Sequence, residues 1–322
     1  FIDFHRSRSA WASLVSHPNS HPYDSSLLVT KIELQKEGEL PVDTKCVISW
    51  LSKEENREEY KNRVNAGIQI ISPKLLSYTK ENFVPHSKVE PDKIDLDRDV
   101  LKPAIKSEKI FAYDTSEYIK DMGTPDRYYE TEKDLLNGFV KQKNLSQKQK
   151  AVFLDRDGTL NKDAGLLTNP ESLCLIEGVS EAIKKIHQNG YLAIVITNQT
   201  VIARGLIDFC TLEKIHNKLE TLLGKDGTYL DAIYYCPHHP DKGFKEERIA
   251  YKIQCECRKP KPGLILKAAK DFNIDLTKSF MIGDSERDIQ AGKNAGCKQN
   301  ILVSSKYSLL DAVQHIFPEE QK

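Results

Sequence analysis

The chain has 322 residues, 39% of them hydrophobic, which suits about two domains of ordinary size, each with its own core. Lys+Arg and Asp+Glu number 47 each, so the net charge is zero and gives no general reason to expect nucleic acid or an anionic membrane as partner. No stretch of ~20 apolar residues reads as a membrane span, and the opening "FIDFHRSRSAW" lacks the apolar core of a signal peptide.

The first residue is Phe1 rather than Met, which points to a fragment or a processed chain. The seven cysteines, an odd number with three of them clustered, do not form the pattern of a disulfide framework. With no signal segment, this usage favours the cytoplasm.

The first part of the chain is irregular, with turns marked by proline. "NAGIQIISP" (65–73) reads as a strand ending in a turn, and "KIDLDRDVLKPAI" (93–105) alternates acids with apolar residues before a helical start. "IFAYDTSEYIKDMGTPDRYYETEKDLL" (110–136) ends in a helix. These features describe an α/β piece spanning 1–140. The polar, basic "KQKNLSQKQK" (141–150) reads as a linker to a second domain, 151–322.

In the second domain, strands alternate with helices. "AVFLD" (151–155), "YLAIVIT" (191–197), "LDAIYYC" (230–236), "SFMIGD" (279–284) and "NILV" (300–303) read as strands. "VSEAIKKIHQNG" (179–190), "LEKIHNKLETLLG" (212–224), "GLILKAAKDF" (263–272) and "ERDIQAGKNAG" (286–296) have helical spacing, several ending in glycine. This alternation predicts an α/β fold with a Rossmann-like parallel sheet covered on both faces.

Three of these strands end in chemistry-bearing residues: Asp155-Arg156-Asp157-Gly158-Thr159, Thr197-Asn198-Gln199 and Gly283-Asp284. Ligands of an open parallel sheet bind beyond the carboxyl ends of its strands, so these segments are expected to converge. Asp155, Asp157 and Asp284 form a hard oxygen set suited to Mg²⁺. A carboxylate beside magnesium can attack phosphorus and form an aspartyl phosphate. A second acid can protonate the leaving alkoxide and then deprotonate water. Thr197 can donate to phosphoryl oxygens, Lys259 of "CRKPKPG" can supply a fixed cation, and Gly158 permits a tight turn beside phosphate.

"DRDGTL", "TNQ", "RKPKPG" and "GDSERD" resemble the four motifs of the haloacid dehalogenase superfamily of phosphohydrolases. The resemblance implies Asp155 as nucleophile and Asp157 as general acid/base. It implies Mg²⁺ on Asp155, the carbonyl of Asp157, and Asp284, with Thr197 and Lys259 stabilising the transferring phosphoryl group.

"CPHHP" (236–240) and "CECRKP" (255–260) place Cys236, His238, Cys255 and Cys257 as a four-ligand set suited to a closed, structural Zn²⁺ site. Such a site would pin the loop "DKGFKEERIAYKIQ" and present Arg258 and Lys259 to the active site. Cys46, Cys174, Cys210 and Cys297 read as ordinary small buried side chains.

Together, "FLDRDGTLN", "VITNQ", "IARG", "IYYCPHHP", "CECRKPKPG" and "MIGDSERDIQAG" resemble the D-glycero-D-manno-heptose 1,7-bisphosphate 7-phosphatases over about 151–304. The related histidinol-phosphate phosphatases share the zinc loop. The resemblance implies that Asp163–Leu166, Asn198, Gln199 and Arg258 meet a sugar phosphate substrate, Arg258 taking the phosphate that is not removed. The chain departs from the family at Thr200-Val201, where Ser-Gly is usual, and at Ala164 and Leu166. A β-branched residue at a position needing positive φ would be strained.

The segments of 1–137 resemble the second half of a sugar-1-phosphate nucleotidyltransferase. "NAG" matches the segment that meets the sugar, and Asp121 of "KDMGTP" matches an acid that holds magnesium. The Gly-rich loop that cradles nucleotide phosphates is absent, so nucleotide transfer by this chain is not expected. The pairing implies removal of a 7-phosphate to give heptose 1-phosphate for nucleotide activation, with GTP as the expected nucleotide. A truncated sheet would leave an open edge, so the first domain is expected to be the less stable one or to pair with another copy as a homo-oligomer. The rival readings are a histidinol-phosphate phosphatase and a non-catalytic binding protein.

Overall fold

The computed structural model describes residues 1–55, 57, 59–82, 94–163 and 165–318. The chain divides into two compact units, Phe1–Thr115 and Ser116–Lys322.

In the first unit, β1 (Ala12–His17), β2 (Leu27–Glu33), β3 (Val42–Leu51), β4 (Val64–Ile71) and β5 (Ile110–Asp114) form a closed barrel in the order β1-β4-β2-β3-β5. β1 and β5 run parallel, and the other pairs are antiparallel. Irregular register in β1 and along the β2–β3 pair adds the local bend that closure needs. The pairs Leu27 with Val64 and Cys46 with Phe111 complete the ring. The open edge expected for this region is therefore not found among the described residues. Leu14, Leu28, Val47, Trp50 and Ile110 fill the core with Leu75 and Leu101 from flanking helical segments. The 65–73 reading corresponds to β4. In the 93–105 reading, Lys93 lies outside the described residues; Asp95 caps a π-helical turn, Leu96–Leu101, by accepting from the Arg98 amide.

The second unit begins with the helix Pro125–Leu136, capped by Thr124. The stretch 141–150, expected as a linker, folds inside this unit. The Gln149 side-chain amide donates to the carbonyls of Gln142, Asn144 and Gln147 at 3.0, 2.8 and 3.1 Å. Its backbone N–H bonds the Asn273 carbonyl at 3.0 Å. The unit boundary instead falls between Thr115 and Ser116. The segment is polar and mostly exposed or half-buried, but the Gln149 amide within it bonds inward.

The sheet of this unit contains β6 (Ala151–Leu154), β7 (Leu192–Asn198), β8 (Ala232–Cys236), β9 (Phe280–Gly283) and β10 (Gln299–Leu302), all parallel, in the order β10-β9-β6-β7-β8. Every residue of β6 is buried. Val152 and Leu154 pack into a core shared with the helices Val179–Gln188, Phe209–Lys225 and Leu309–Ile316. Ala151 and Phe153 point the other way, toward the helices Gly263–Asp271 and Glu286–Ala295. The chain leaves β6 toward β7 and β8, then crosses to β9 and β10, so a crevice opens at the carboxyl end of β6.

Two of the cysteines expected to be buried are not: Cys174 and Cys210 are exposed, whereas Cys46 is buried and Cys297 half-buried. Cys210 follows the buried Phe209 around the first turn of its helix and so faces outward. Among the described residues, no helix is long and apolar enough to cross a membrane.

Candidate active site

The carboxyl end of β6 delivers Asp155, whose backbone N–H bonds the Ile282 carbonyl of β9 at 2.9 Å. Lys259 Nζ lies 2.8 Å from Asp155 Oδ1 and 2.6 Å from Asp288 Oδ1. Asp155, Asp284 and Asp288 each offer an oxygen within 4.8 Å of the others. One buried cation therefore serves a cluster of three acids. Burial, reinforced by the Asp288 charge and opposed by Lys259, pushes the Asp155 carboxyl up to about 6. Burial and the charges of Asp288 and Asp163 also raise Asp284.

Asp157 lies in a different environment. Burial alone would favour its neutral form, but the Arg156 guanidinium and bonds from Asn161 and Gln199 hold its carboxyl below the usual range. Arg156 is fully buried and forks onto Asp157 at 2.9–3.1 Å. Asn161 Nδ2 donates to Asp157 Oδ1 at 3.0 Å, and Gln199 Nε2 to Oδ2 at 2.9 Å. Thr197, at the end of β7, is buried with its Oγ1 accepting from Gln199 Nε2 at 2.8 Å.

Two glycines make this approach possible. A Cβ on Gly158, which has φ +77°, would lie 2.1 Å from Asp284 Oδ2. A Cβ on Gly283 would lie 2.4 Å from the Asp288 Cβ. Asp288 is the residue sequence reasoning left unassigned. It also closes a capping box with Ser285, accepting from that residue's N–H at 3.0 Å. It stands in "GDSERD", four residues after Asp284, on the helix whose start it caps.

Asn198 and Lys259 meet through their backbone and amide groups, at 3.0 and 3.2 Å. Arg258 is half-buried and donates to the His238 carbonyl at 3.2 Å. Asp163 is exposed and accepts from the Gly165 N–H at 2.8 Å; Ala164 lies outside the described residues. Val201 is buried in the core, and positive φ in its turn falls on Gly205 (φ 73°) instead. The strain expected at Val201 is thus absent.

Cys236, His238, Cys255 and Cys257 also converge, with donor atoms within 4.8 Å of one another. Cys257 Sγ lies 3.1 Å from Cys236 Sγ, 3.3 Å from Cys255 Sγ and 3.2 Å from His238 Nδ1. A tetrahedral zinc with bonds of about 2.3 Å would hold its sulfurs about 3.8 Å apart, so a small expansion of this cluster accommodates one. The coupled thiols shift in opposite directions, Cys257 down through Cys236 and His238, and Cys236 and Cys255 up, so without metal the cluster shares a thiolate among its members. The following loop has anchors of its own. Tyr251 is buried, and Phe244 lies between Arg204 at 4.4 Å and Lys252 at 4.5 Å.

Asp121 turns the chain into the helix Pro125–Leu136: it accepts from the Gly123 N–H at 2.8 Å and pairs with Arg127. In the first unit, Asn65 Oδ1 accepts from the Gly67 N–H at 3.3 Å.

Residues 256–318 match the HAD-hydrolase-like family. The chain is 44% identical over 156 residues to the D-glycero-beta-D-manno-heptose-1,7-bisphosphate 7-phosphatase of Haemophilus ducreyi, covering 48% of this chain and 83% of that one. It is 37% identical over 159 residues to the D-glycero-alpha-D-manno-heptose-1,7-bisphosphate 7-phosphatase of Burkholderia mallei, covering 49% and 82%. The crystal structure of the D,D-heptose 1,7-bisphosphate phosphatase of B. bronchiseptica, complexed with magnesium and phosphate, aligns at 31% identity and a TM-score of 0.46. That alignment covers 53% of this chain and 100% of the other.

Proposed function

Since the chain belongs to the heptose-1,7-bisphosphate 7-phosphatase family of HAD-like hydrolases, we propose that it removes the 7-phosphate of D-glycero-D-manno-heptose 1,7-bisphosphate through an aspartyl phosphate. The observation that carries this reading is the meeting of Asp155, Asp284, Asp288 and Lys259 at the end of β6. Three acids against one cation leave room for a divalent metal. Asp155, the Asp157 carbonyl and Asp284 would hold Mg²⁺, which when bound neutralises charge on the phosphoryl oxygens and the attacking carboxylate.

Asp155 attacks phosphorus, and the bond from phosphorus to the sugar oxygen breaks. Asp157, ionised in the free site, would take the proton of the incoming phosphate monoanion and give it to the leaving alkoxide. It then takes a proton from water, which attacks phosphorus and breaks the bond to Asp155, releasing inorganic phosphate. Thr197 and Lys259 hold the phosphoryl oxygens as charge shifts. Arg258 and Asp163 lie on the segments that would meet the rest of the substrate, with Arg258 serving the retained phosphate.

Cys236, His238, Cys255 and Cys257 would hold a structural Zn²⁺ that fixes the segment leading into Lys259. The product, heptose 1-phosphate, suits a following nucleotide-activating step. Residues 1–137, which include Asp121 beyond the first unit, are read as nucleotidyltransferase-like on their sequence, without transferase activity in this chain.

The test is phosphate release from the heptose bisphosphate and from histidinol phosphate, with Mg²⁺, the product being identified by phosphorus NMR. The expected result is a strong preference for the heptose with the 1-phosphate retained. Preference for histidinol phosphate, or loss of the 1-phosphate, would overturn the substrate assignment.

A further inference from the structure

The dipeptide Asn198-Gln199 ends β7, and its side chains point inward. Gln199 is 3% exposed. Both hydrogens of its amide nitrogen are engaged, one on Asp157 Oδ2 at 2.9 Å and one on Thr197 Oγ1 at 2.8 Å. Its oxygen accepts from Arg156 Nη2 at 2.9 Å. Arginine can only donate and an ionised carboxylate can only accept, so this amide orientation is fixed by its neighbours. Asn198 is equally constrained. Its Oδ1 accepts from the Lys259 N–H at 3.0 Å, and its Nδ2 donates to the Lys259 carbonyl at 3.2 Å. The Gln199 backbone N–H also bonds the Cys236 carbonyl at 2.7 Å, tying the dipeptide to β8.

We infer that Asn198 and Gln199 are positioning residues for phosphoryl transfer rather than contacts for the sugar. Asn198 clamps the backbone of Lys259 and so sets where the ammonium stands. Gln199 links Thr197 to Asp157. Because Thr197 Oγ1 accepts from Gln199, its own hydroxyl proton is left to be donated, and a phosphoryl oxygen is the acceptor the site supplies. One dipeptide thereby registers three groups that come from separate segments. The inference rests on the phosphatase reading above.

The experiment measures kcat and KM for Asn198→Ala, Asn198→Asp, Gln199→Met and Gln199→Glu in the full chain with Mg²⁺. Two substrates are compared, the heptose bisphosphate and phenyl phosphate, which has no sugar. A positioning role predicts that kcat falls at least ~10-fold on both substrates to the same extent, with KM for the bisphosphate within ~3-fold of wild type. A loss confined to the sugar substrate, or a tenfold rise in KM with kcat retained, would overturn it. Thermal unfolding identifies any variant that fails to fold, and Asn198→Asp and Gln199→Glu, which keep the shape but replace each N–H donor with an acceptor, then carry the test. Crystal structures give a readout free of turnover: Lys259 Nζ should leave Asp155 in Asn198→Ala, and an unmoved ammonium would contradict the inference. Wild-type protein that hydrolyses neither substrate would sink the phosphatase reading, which is thereby separated from the fate of the positioning role.

Discussion

The barrel and the parallel sheet each gather charged side chains, and the two clusters are balanced in opposite senses. In the barrel, Lys45 lies 2.9 Å from Asp43 and 2.7 Å from Asp114, while Lys61 reaches Asp43 at 3.2 Å and Arg63 lies 3.9 Å from Asp114. Ser16 adds a hydrogen bond to Asp114. Burial alone would raise these carboxyls, yet their cationic neighbours hold both below the usual range. Among the described residues of the sheet unit, Lys259 is the one cation paired with Asp155 and Asp288, with Asp284 beside them, and Asp155 and Asp284 are pushed up. The first cluster sets three cations against two carboxylates, so each acid has a cationic partner. The second has an excess of acid at a strand end, the condition for recruiting a divalent cation.

The largest way to break this comparison is to remove Lys259. Lys259→Met should cost on the order of 10²–10³-fold in kcat, measured by phosphate release. Removing the space between the acids comes next. Gly158→Ala would force the Asp284 carboxylate away from a Cβ placed 2.1 Å from its Oδ2. A displacement of that kind costs on the order of 10²-fold in turnover; wild-type turnover in this variant would mean that Asp284 is not needed where it stands. Cys257→Ser should lose bound zinc in a metal assay and lower Tm by about 5 °C or more.

The smallest expected effect lies in the barrel. Asp114→Asn should cost about 1–3 kcal/mol in denaturant unfolding, from the charge-assisted bonds lost by a carboxylate that is only 25% exposed, and leave phosphate release unchanged. The sign of the pH dependence follows. The folded-state pKa of Asp114 is depressed, so its contribution is present above its unfolded value of about 3.9 and is lost as pH falls toward the folded value. Wild-type protein should therefore lose stability below about pH 4 more steeply than Asp114→Asn. Identical acid profiles would mean that the barrel cluster contributes little.

The sheet unit was legible because its signals are local. Four-residue buried runs such as "AVFL" end directly in polar residues, so strand, loop and chemistry lie in one short segment. The barrel was not legible in this way. Its closing pairs, Cys46 with Phe111 and Leu27 with Val64, join residues distant in sequence, and its bulges leave no mark in the alternation of residue types. The inward role of Gln149 was hidden for a related reason. Polar composition gives an expectation of solvent, while three carbonyls of its own turn accept its amide. The family resemblance sets Asn198 and Gln199 against the substrate. Their engaged amides became visible only when Lys259, Arg156 and Asp157 were brought around them.

The account rests on Asp155 as the group that takes the phosphoryl. Phosphate release from the heptose bisphosphate by wild type and by Asp155→Asn, at matched folded concentration with Mg²⁺, tests this most directly. The substitution keeps size and shape but removes the attacking charge, so a loss on the order of 10⁴-fold or more is predicted. Turnover of Asp155→Asn at the wild-type rate would contradict the mechanism and return the acid cluster to a structural role.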